Sequence, residues 1–251
     1  LVELGASNFE LRSKSYRAIS GFLGEQIARR RTDPGDNYIS RLLASEIDGE
    51  PVADIMILNM CILILVAGVD TTWSTIGSSL LHFATHPKDR QRLAGQPELL
   101  SSAVEEMLRL HAPASAGRVA MADVEHDGIT FKRGDRMILS FPAANRDPAA
   151  FEYPDEADIG REKNRHVAFG VGIHRCAGSN LARLEMEVVL AVWFARIPEF
   201  ELSHPEAVTW SAGQVRGART VPVRFKALPR GRPLAEIAPG LEIAGIPPVS
   251  V

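Results

Sequence analysis

Residues 169–178 read Phe169-Gly170-Val171-Gly172-Ile173-His174-Arg175-Cys176-Ala177-Gly178. The stretch holds three glycines and one of only two cysteines in the chain, and a helical pattern follows it at once. Glycines at 170 and 172 suit a loop that turns tightly and lies close to something flat, because no Cβ stands in the way. Cys176 comes just before a helix beginning near Ser179, whose free N–H groups and dipole point towards its sulfur. Such a setting stabilises a thiolate, the form that binds metal. The plainer reading is a free cysteine on a glycine-rich turn.

The order F-x-x-G-x-H-x-C-x-G resembles the haem-binding loop of the cytochrome P-450 family, with every defining position filled. The resemblance implies that Cys176 is the proximal thiolate ligand of a haem b iron. Phe169, Gly170, His174 and Gly178 would lie against the same cofactor.

Moving outward, Ala67-Gly68-Val69-Asp70-Thr71-Thr72 sits inside an apolar helical run about 100 residues earlier. Small residues at 67 and 68 let something lie against the backbone. An acid and a hydroxyl deep in such a helix call for a reason to be buried. In the plain reading Thr71 bonds back to a carbonyl one turn earlier and bends the helix. In the functional one the segment resembles the family's A-G-x-D-T-T motif. The helix would then be locally opened, with Thr71 steadying bound dioxygen, Asp70 relaying protons, and Ala67 and Gly68 facing the haem.

Glu106 and Arg109 are three apart on one helical face. Such pairs are common on surfaces, but here they resemble the family's E-x-x-R pair, completed by Arg161. That triad would be structural, locking the irregular stretch that supports the cysteine loop. Arg109 can serve two acceptors because its guanidinium is a planar fork. Arg118 and His174 match positions that contact haem propionates, though an exposed arginine is ordinary too. Ala114, Ser115, Ala116, Gln214 and Val215 resemble substrate-contacting segments, and with Val69 and Thr72 they would line a pocket for a modest apolar substrate.

Elsewhere, apolar spacing predicts a helix from about Phe9 to Arg31 with a solvated Arg29-Arg30-Arg31 end, and a short helix reaching about Ile47. Pro51 is well placed to open a helix over residues 52–85, about 50 Å long. The apolar run within it is interrupted by Asn59 and falls short of the roughly 20 residues a membrane span needs. It is therefore expected to be buried on all sides, with Cys61 as a core residue. Helices over residues 87–94 and 97–110 follow. Short β-type runs then appear near Val119, Val124, Ile129, Phe131 and Met137. An irregular stretch over 142–165 leads to the cysteine loop and a helix over 179–196. Strands near Phe200, Gln214 and Val221 close the pattern. The expected class is mainly α with small β-sheets, a cytochrome P-450 fold without its N-terminal helices. Residues 1–225 would form the C-terminal portion of that domain and 226–251 a proline-rich tail or linker.

The chain has 251 residues, 45% of them hydrophobic, and a net charge of −3. That is ample for a large core and gives no reason to expect nucleic-acid binding. Two cysteines do not make a disulfide framework. The chain opens on Leu1 without a recognisable signal peptide, and a cytoplasmic protein away from membranes is expected. The resemblance implies a haem-thiolate monooxygenase that uses O2, a small organic substrate and a ferredoxin or flavodoxin-like electron donor. Arg165, Arg175 and Arg183 would give that donor a cationic face. Asp70-Thr71-Thr72-Trp73-Ser74 also looks like bacterial members fused to a reductase, which a linker at 226–251 would fit. The rival readings are a non-catalytic haem-binding or interaction fragment and a peroxide-driven enzyme of the same fold.

Overall fold

A computed structural model describes residues 8–211 and 213–226. The chain divides into two units, Leu1–Thr71 and Thr72–Val251. In the first, α1 (Phe9–Thr32) begins where the Asn8 side chain accepts the Leu11 N–H at 2.9 Å. It ends with Arg29, Arg30 and Arg31, placed where the helix dipole favours cations. Helix α2 (Tyr38–Leu43) is capped the same way by Asn37.

The short helix expected to reach Ile47 stops early, and Pro51 opens no helix. Instead β1 (Glu46–Ile47) pairs with β2 (Glu50–Pro51) as a small hairpin. Asp48 and Gly49 turn it with φ of 54° and 82°, the left-handed pair that a two-residue hairpin turn requires.

Helix α3 (Asp54–Thr85) follows. Ile57 and Cys61, one turn apart, bury with Ile27 of α1 and Leu42 of α2 to form the core of this unit. The Cys61 thiol is pushed up by burial, as befits a core residue. The helix is not buried on all sides, however. Ile55, Leu63, Ile64, Val69 and Trp73 are exposed, because its packing in the first unit uses a narrow stripe. Length alone does not exclude a span either: α3 is long and apolar enough to cross a membrane.

In the second unit, α4 (Pro87–Gly95) and a 3₁₀ turn lead into α5 (Leu100–Leu110). β3 (Ala116–Val119) pairs antiparallel with β6 (Arg136–Leu139), and between them β4 (Val124–His126) pairs with β5 (Ile129–Phe131). After α6 (Phe141–Ala144) the chain is irregular up to α7 (Ser179–Arg196). The late strands are β7 (Phe200–Leu202), β8 (Thr209–Trp210), β9 (Ala218–Thr220) and β10 (Val223–Phe225), paired β7 with β10 and β8 with β9. Val104, Met107 and Leu108 of α5 join Met186, Leu190 and Phe194 of α7 around Phe83 in the core.

The later turns of α3 and the β8–β9 hairpin approach closely. A Cβ on Gly77 would sit 2.4 Å from the Ala218 carbonyl oxygen, and one on Gly217 would sit 2.3 Å from Ser74 Cβ. Only glycine fits at these two contacts. The Ala218 N–H donates to Ser78 Oγ at 3.2 Å and Arg219 to Ser74 Oγ at 3.0 Å, which fixes the hairpin against the helix. The tail expected at 226–251 lies, apart from Lys226, outside the described residues.

Candidate functional site

The cysteine loop is held by its own backbone. The Cys176 N–H donates to the Phe169 carbonyl at 2.9 Å, and the Gly170 N–H to Val167 at 2.9 Å. Gly170 and Gly172 adopt φ of 67° and 66°, so the turn needs left-handed residues at both places. Gly178 caps α7, and a Cβ there would lie 3.9 Å from the Cys176 sulfur. Cys176 is exposed, flanked by Val171 and by Ile173, which is 97% exposed. His174 ends a 3₁₀ turn and is also exposed.

Behind the loop lies a charged network whose centre, Glu106 and Arg109, is fully buried. Arg109 grips Glu106 with two hydrogen bonds of 2.9 and 2.8 Å, and Arg161 Nε donates to the same carboxylate at 3.1 and 3.3 Å. The Asp158 N–H and Asn164 amide complete the acceptor sites of Glu106. Burial pushes the Glu106 carboxyl up, but hydrogen bonds from Arg109 and Asp158 and the nearby guanidinium charges hold it below the usual range. Arg109 spends its remaining donors on the carbonyls of Asn145, Pro154 and Glu156, while Arg161 reaches that of Glu152. Asn145 in turn accepts the Val167 N–H at 2.7 Å, two residues before Phe169. The structure thus brings Glu106, Arg109 and Arg161 together and links them to the base of the cysteine loop.

The segments after α5 and before β9 also meet. Ala114 bridges Val215, and the Ser115 N–H donates to the Gln214 carbonyl at 3.2 Å. Ala116 continues into β3. Arg118 on that strand donates to the neighbouring Gly117 carbonyl at 2.8 Å. Thr72 lies on the part of α3 that belongs to this second unit.

Asp70 and Thr71 belong to the first unit. The Thr71 hydroxyl donates to the Ala67 carbonyl at 2.6 Å, the back-bond of the plain reading, and α3 is helical throughout rather than opened. Asp70 is buried, whereas Ala67, Gly68 and Val69 are exposed. A helix that leaves the two small residues bare offers a flat strip of backbone.

Glu105 and His166 were not singled out in the sequence, and Arg183 was assigned a different role. Glu105 accepts from Arg183 at 2.6 and 3.1 Å and from His166 at 3.0 Å. Arg183 is therefore not a free cation for an electron donor. It is paired, and it stacks on Phe169 at 4.6 Å. The doubled acid Glu105-Glu106 was the only hint in the sequence.

The cytochrome P450 family model matches residues 95–209. The chain is 36% identical over 227 residues to the polyketide biosynthesis cytochrome P450 PksS of Bacillus subtilis, covering 89% of this chain and 56% of that protein. It is 40% identical over 210 residues to the vitamin D(3) 25-hydroxylase of Pseudonocardia autotrophica, covering 82% and 52%. The solved structure of PksS superposes with TM-score 0.84 at 35% identity, over 90% of this chain and 59% of that one. The chain belongs to the cytochrome P450 family. It spans about half the length of the curated relatives it matches.

A cytochrome P450 implies a haem, and the residues present fit one. A single exposed soft sulfur at a helix N-terminus can complete a ligand set whose other donors come from a macrocycle. The bare glycine turn and exposed Val171 and Ile173 beside it present apolar surface suited to a flat, mostly apolar group.

Proposed function

We propose that this chain carries the haem-binding and oxygen-handling part of a cytoplasmic monooxygenase. The enzyme inserts one oxygen atom from O2 into a small organic substrate, using electrons from a ferredoxin or flavodoxin-like partner, separate or fused through residues 226–251. The observation that carries the reading is the exposed Cys176 sulfur on a backbone-fixed loop at the start of α7.

Haem b held by Cys176 would supply the one-electron and oxygen chemistry. Phe169, Gly170 and Gly178 shape the turn that presents the sulfur. Arg118 and His174 bring donors suited to propionates, and Ala67 and Gly68 leave space along α3. Glu106, Arg109 and Arg161 keep the supporting stretch rigid. The Thr71 hydroxyl, which donates to the Ala67 carbonyl, would steady dioxygen in the site. Asp70 would pass protons from water, a relay of the kind worth about 10²–10⁴-fold. Val69, Thr72, Ala114, Ser115, Ala116, Gln214 and Val215 would shape the substrate pocket, and their small or apolar character suits an apolar substrate.

The decisive measurement is the spectrum of the reduced, carbonyl-bound protein. A red-shifted Soret band should appear with haem, disappear in Cys176→Ala and survive in Cys61→Ala. A band unchanged by Cys176→Ala would sink the assignment. Once turnover is reconstituted, Thr71→Ala should divert electrons from product to peroxide or water, and Asp70→Asn should slow the whole cycle. Product formed per reduced nicotinamide consumed reads both. The exposed strip of α3 supports a second reading, a haem-binding fragment without turnover. It would be favoured by a normal carbonyl band with no product under any donor.

A further inference from the structure

We propose that Glu105 and Arg183 form a positioning pair that fixes the Cys176 loop against α7. Its bearing on Cys176 as a ligand rests on the haem-thiolate reading above. Successive residues on an α-helix are turned by about 100°, so adjacent acids on α5 meet different partners. Glu106 faces the irregular stretch, whereas Glu105 faces α7 and the run into the cysteine loop.

Both oxygens of Glu105 are engaged. Oε1 accepts from Arg183 Nε at 2.6 Å, and Oε2 accepts from the terminal nitrogen of Arg183 at 3.1 Å and from His166 Nε2 at 3.0 Å. His166 is fixed in turn, because its Nδ1 accepts the Ala168 N–H at 3.2 Å and leaves Nε2 to donate. The paired guanidinium lies 4.6 Å from the Phe169 ring centre, with the His166 ring 6.0 Å from that ring. The Phe169 carbonyl then receives the Cys176 N–H at 2.9 Å. Four residues thus connect α5, α7 and the ligand-bearing backbone in unbroken contact.

The charges in this chain are permanent. Burial pushes the Glu105 carboxyl up, but hydrogen bonds from His166 and Arg183 overrule it and hold it at about 2. Arg183 is kept above its ordinary value, chiefly by its hydrogen bond to Glu105 and against burial, with smaller contributions from Glu105, Glu187 and the Cys176 sulfur. The ion pair that joins α5 to α7 therefore stays charged. Lysine would keep the charge of Arg183 but not its planar fork or its stacking.

The test compares the 251-residue chain with Glu105→Gln, Arg183→Gln and Arg183→Lys. In haem-free protein, hydrogen exchange at the Cys176 amide should quicken roughly tenfold or more in Arg183→Gln, the effect of losing a hydrogen bond to a charged group. Arg183→Lys should restore only part of this protection, and exchange at the buried Leu190 amide should stay slow. Equal acceleration at both amides, or none at Cys176, would overturn the positioning role. Glu105→Gln should quicken exchange at Cys176 in the same way, because it releases both Arg183 and His166. A Cys176 amide that exchanges as slowly in Glu105→Gln as in wild type would overturn the pairing. A wild-type chain without the thiolate carbonyl band would overturn the haem reading, while the exchange result still decides the positioning.

Discussion

Helix α3 runs unbroken through 32 residues, yet Ile55, Leu63, Ile64 and Val69 stand exposed along it. Residues 145–178 hold little regular structure beyond one 3₁₀ turn, yet side chains from α5 fix them at many points. The contrast separates two things that usually travel together. A helix satisfies its backbone internally and can form without a complete partner for its apolar side chains. An irregular stretch must find acceptors and donors elsewhere, and Arg109, Glu106 and Asn145 supply them. Damage should therefore cost far more in the second region than in the first.

The largest loss is expected from Arg109→Ala. It would leave Glu106 charged and buried with reduced compensation, and it would strip hydrogen-bond donors from Asn145, Pro154 and Glu156 at once. Breaking a buried pair by removing one partner costs about 3–5 kcal/mol, a large share of a domain's stability. Little folded protein should result, and a chemical denaturation midpoint equal to wild type would break the comparison.

Gly217→Ala comes next. Its new Cβ would meet Ser74 at 2.3 Å, on a rigid part of α3, so the hairpin must shift. Overpacking of this kind costs about 1–3 kcal/mol. The measurement is the same midpoint, together with near-ultraviolet circular dichroism of Trp210 in β8 and Trp73 on α3.

Acid should loosen the irregular side of the comparison, in two stages. His111 is held at about 3, first by burial and then by the charges of His82, Arg146, His86 and Arg109. Its folded value lies below its unfolded one of about 6.5, so the unfolded chain binds the extra proton first. Its contribution is complete above about 6.5 and declines as pH falls towards 3. Glu105, depressed from 4.5 to about 2, adds its own loss as pH falls through that lower window. Replacing His111 with Gln should flatten stability between about pH 6.5 and 4.5 while leaving the steeper loss below it. A slope unchanged above pH 4.5 would exclude His111 as its source.

How much of this was legible in the sequence depended on how local the cause was. Helix α1 starts at Phe9 because Asn8 caps it, and α7 spans residues 179–196 as its spacing predicts. The pairing of Glu106 with Arg109 follows from a three-residue step on a helix, whereas Arg161 was placed by family resemblance alone. The β1–β2 hairpin escaped because Asp48-Gly49 reads equally well as a simple break, and only the left-handed backbone decides. Gly77 and Gly217 escaped because their contact joins segments 140 positions apart, as does that of Ser78 with Ala218. Arg183 was read as a surface cation because nothing near it in sequence reveals Glu105, 78 residues away. The outward face of α3 was misjudged for a related reason: hydrophobicity shows what a helix can bury, not what is there to cover it.

The smallest effect should come from that face. Leu63 is 66% exposed and Ile64 51% exposed, so substituting Gln at either position removes little buried area. Surface changes of this kind usually stay within about 0.5 kcal/mol. Solubility should improve at the same time, because contiguous exposed apolar side chains promote association. Urea midpoints and light scattering at several protein concentrations would read the two effects separately. A loss comparable to that of Arg109→Ala would mean that Leu63 and Ile64 are covered in solution. The contrast between the bare helix and the tethered irregular stretch would then fail. An unchanged midpoint with reduced scattering would place the stability of this chain in the contacts behind Cys176 rather than along α3.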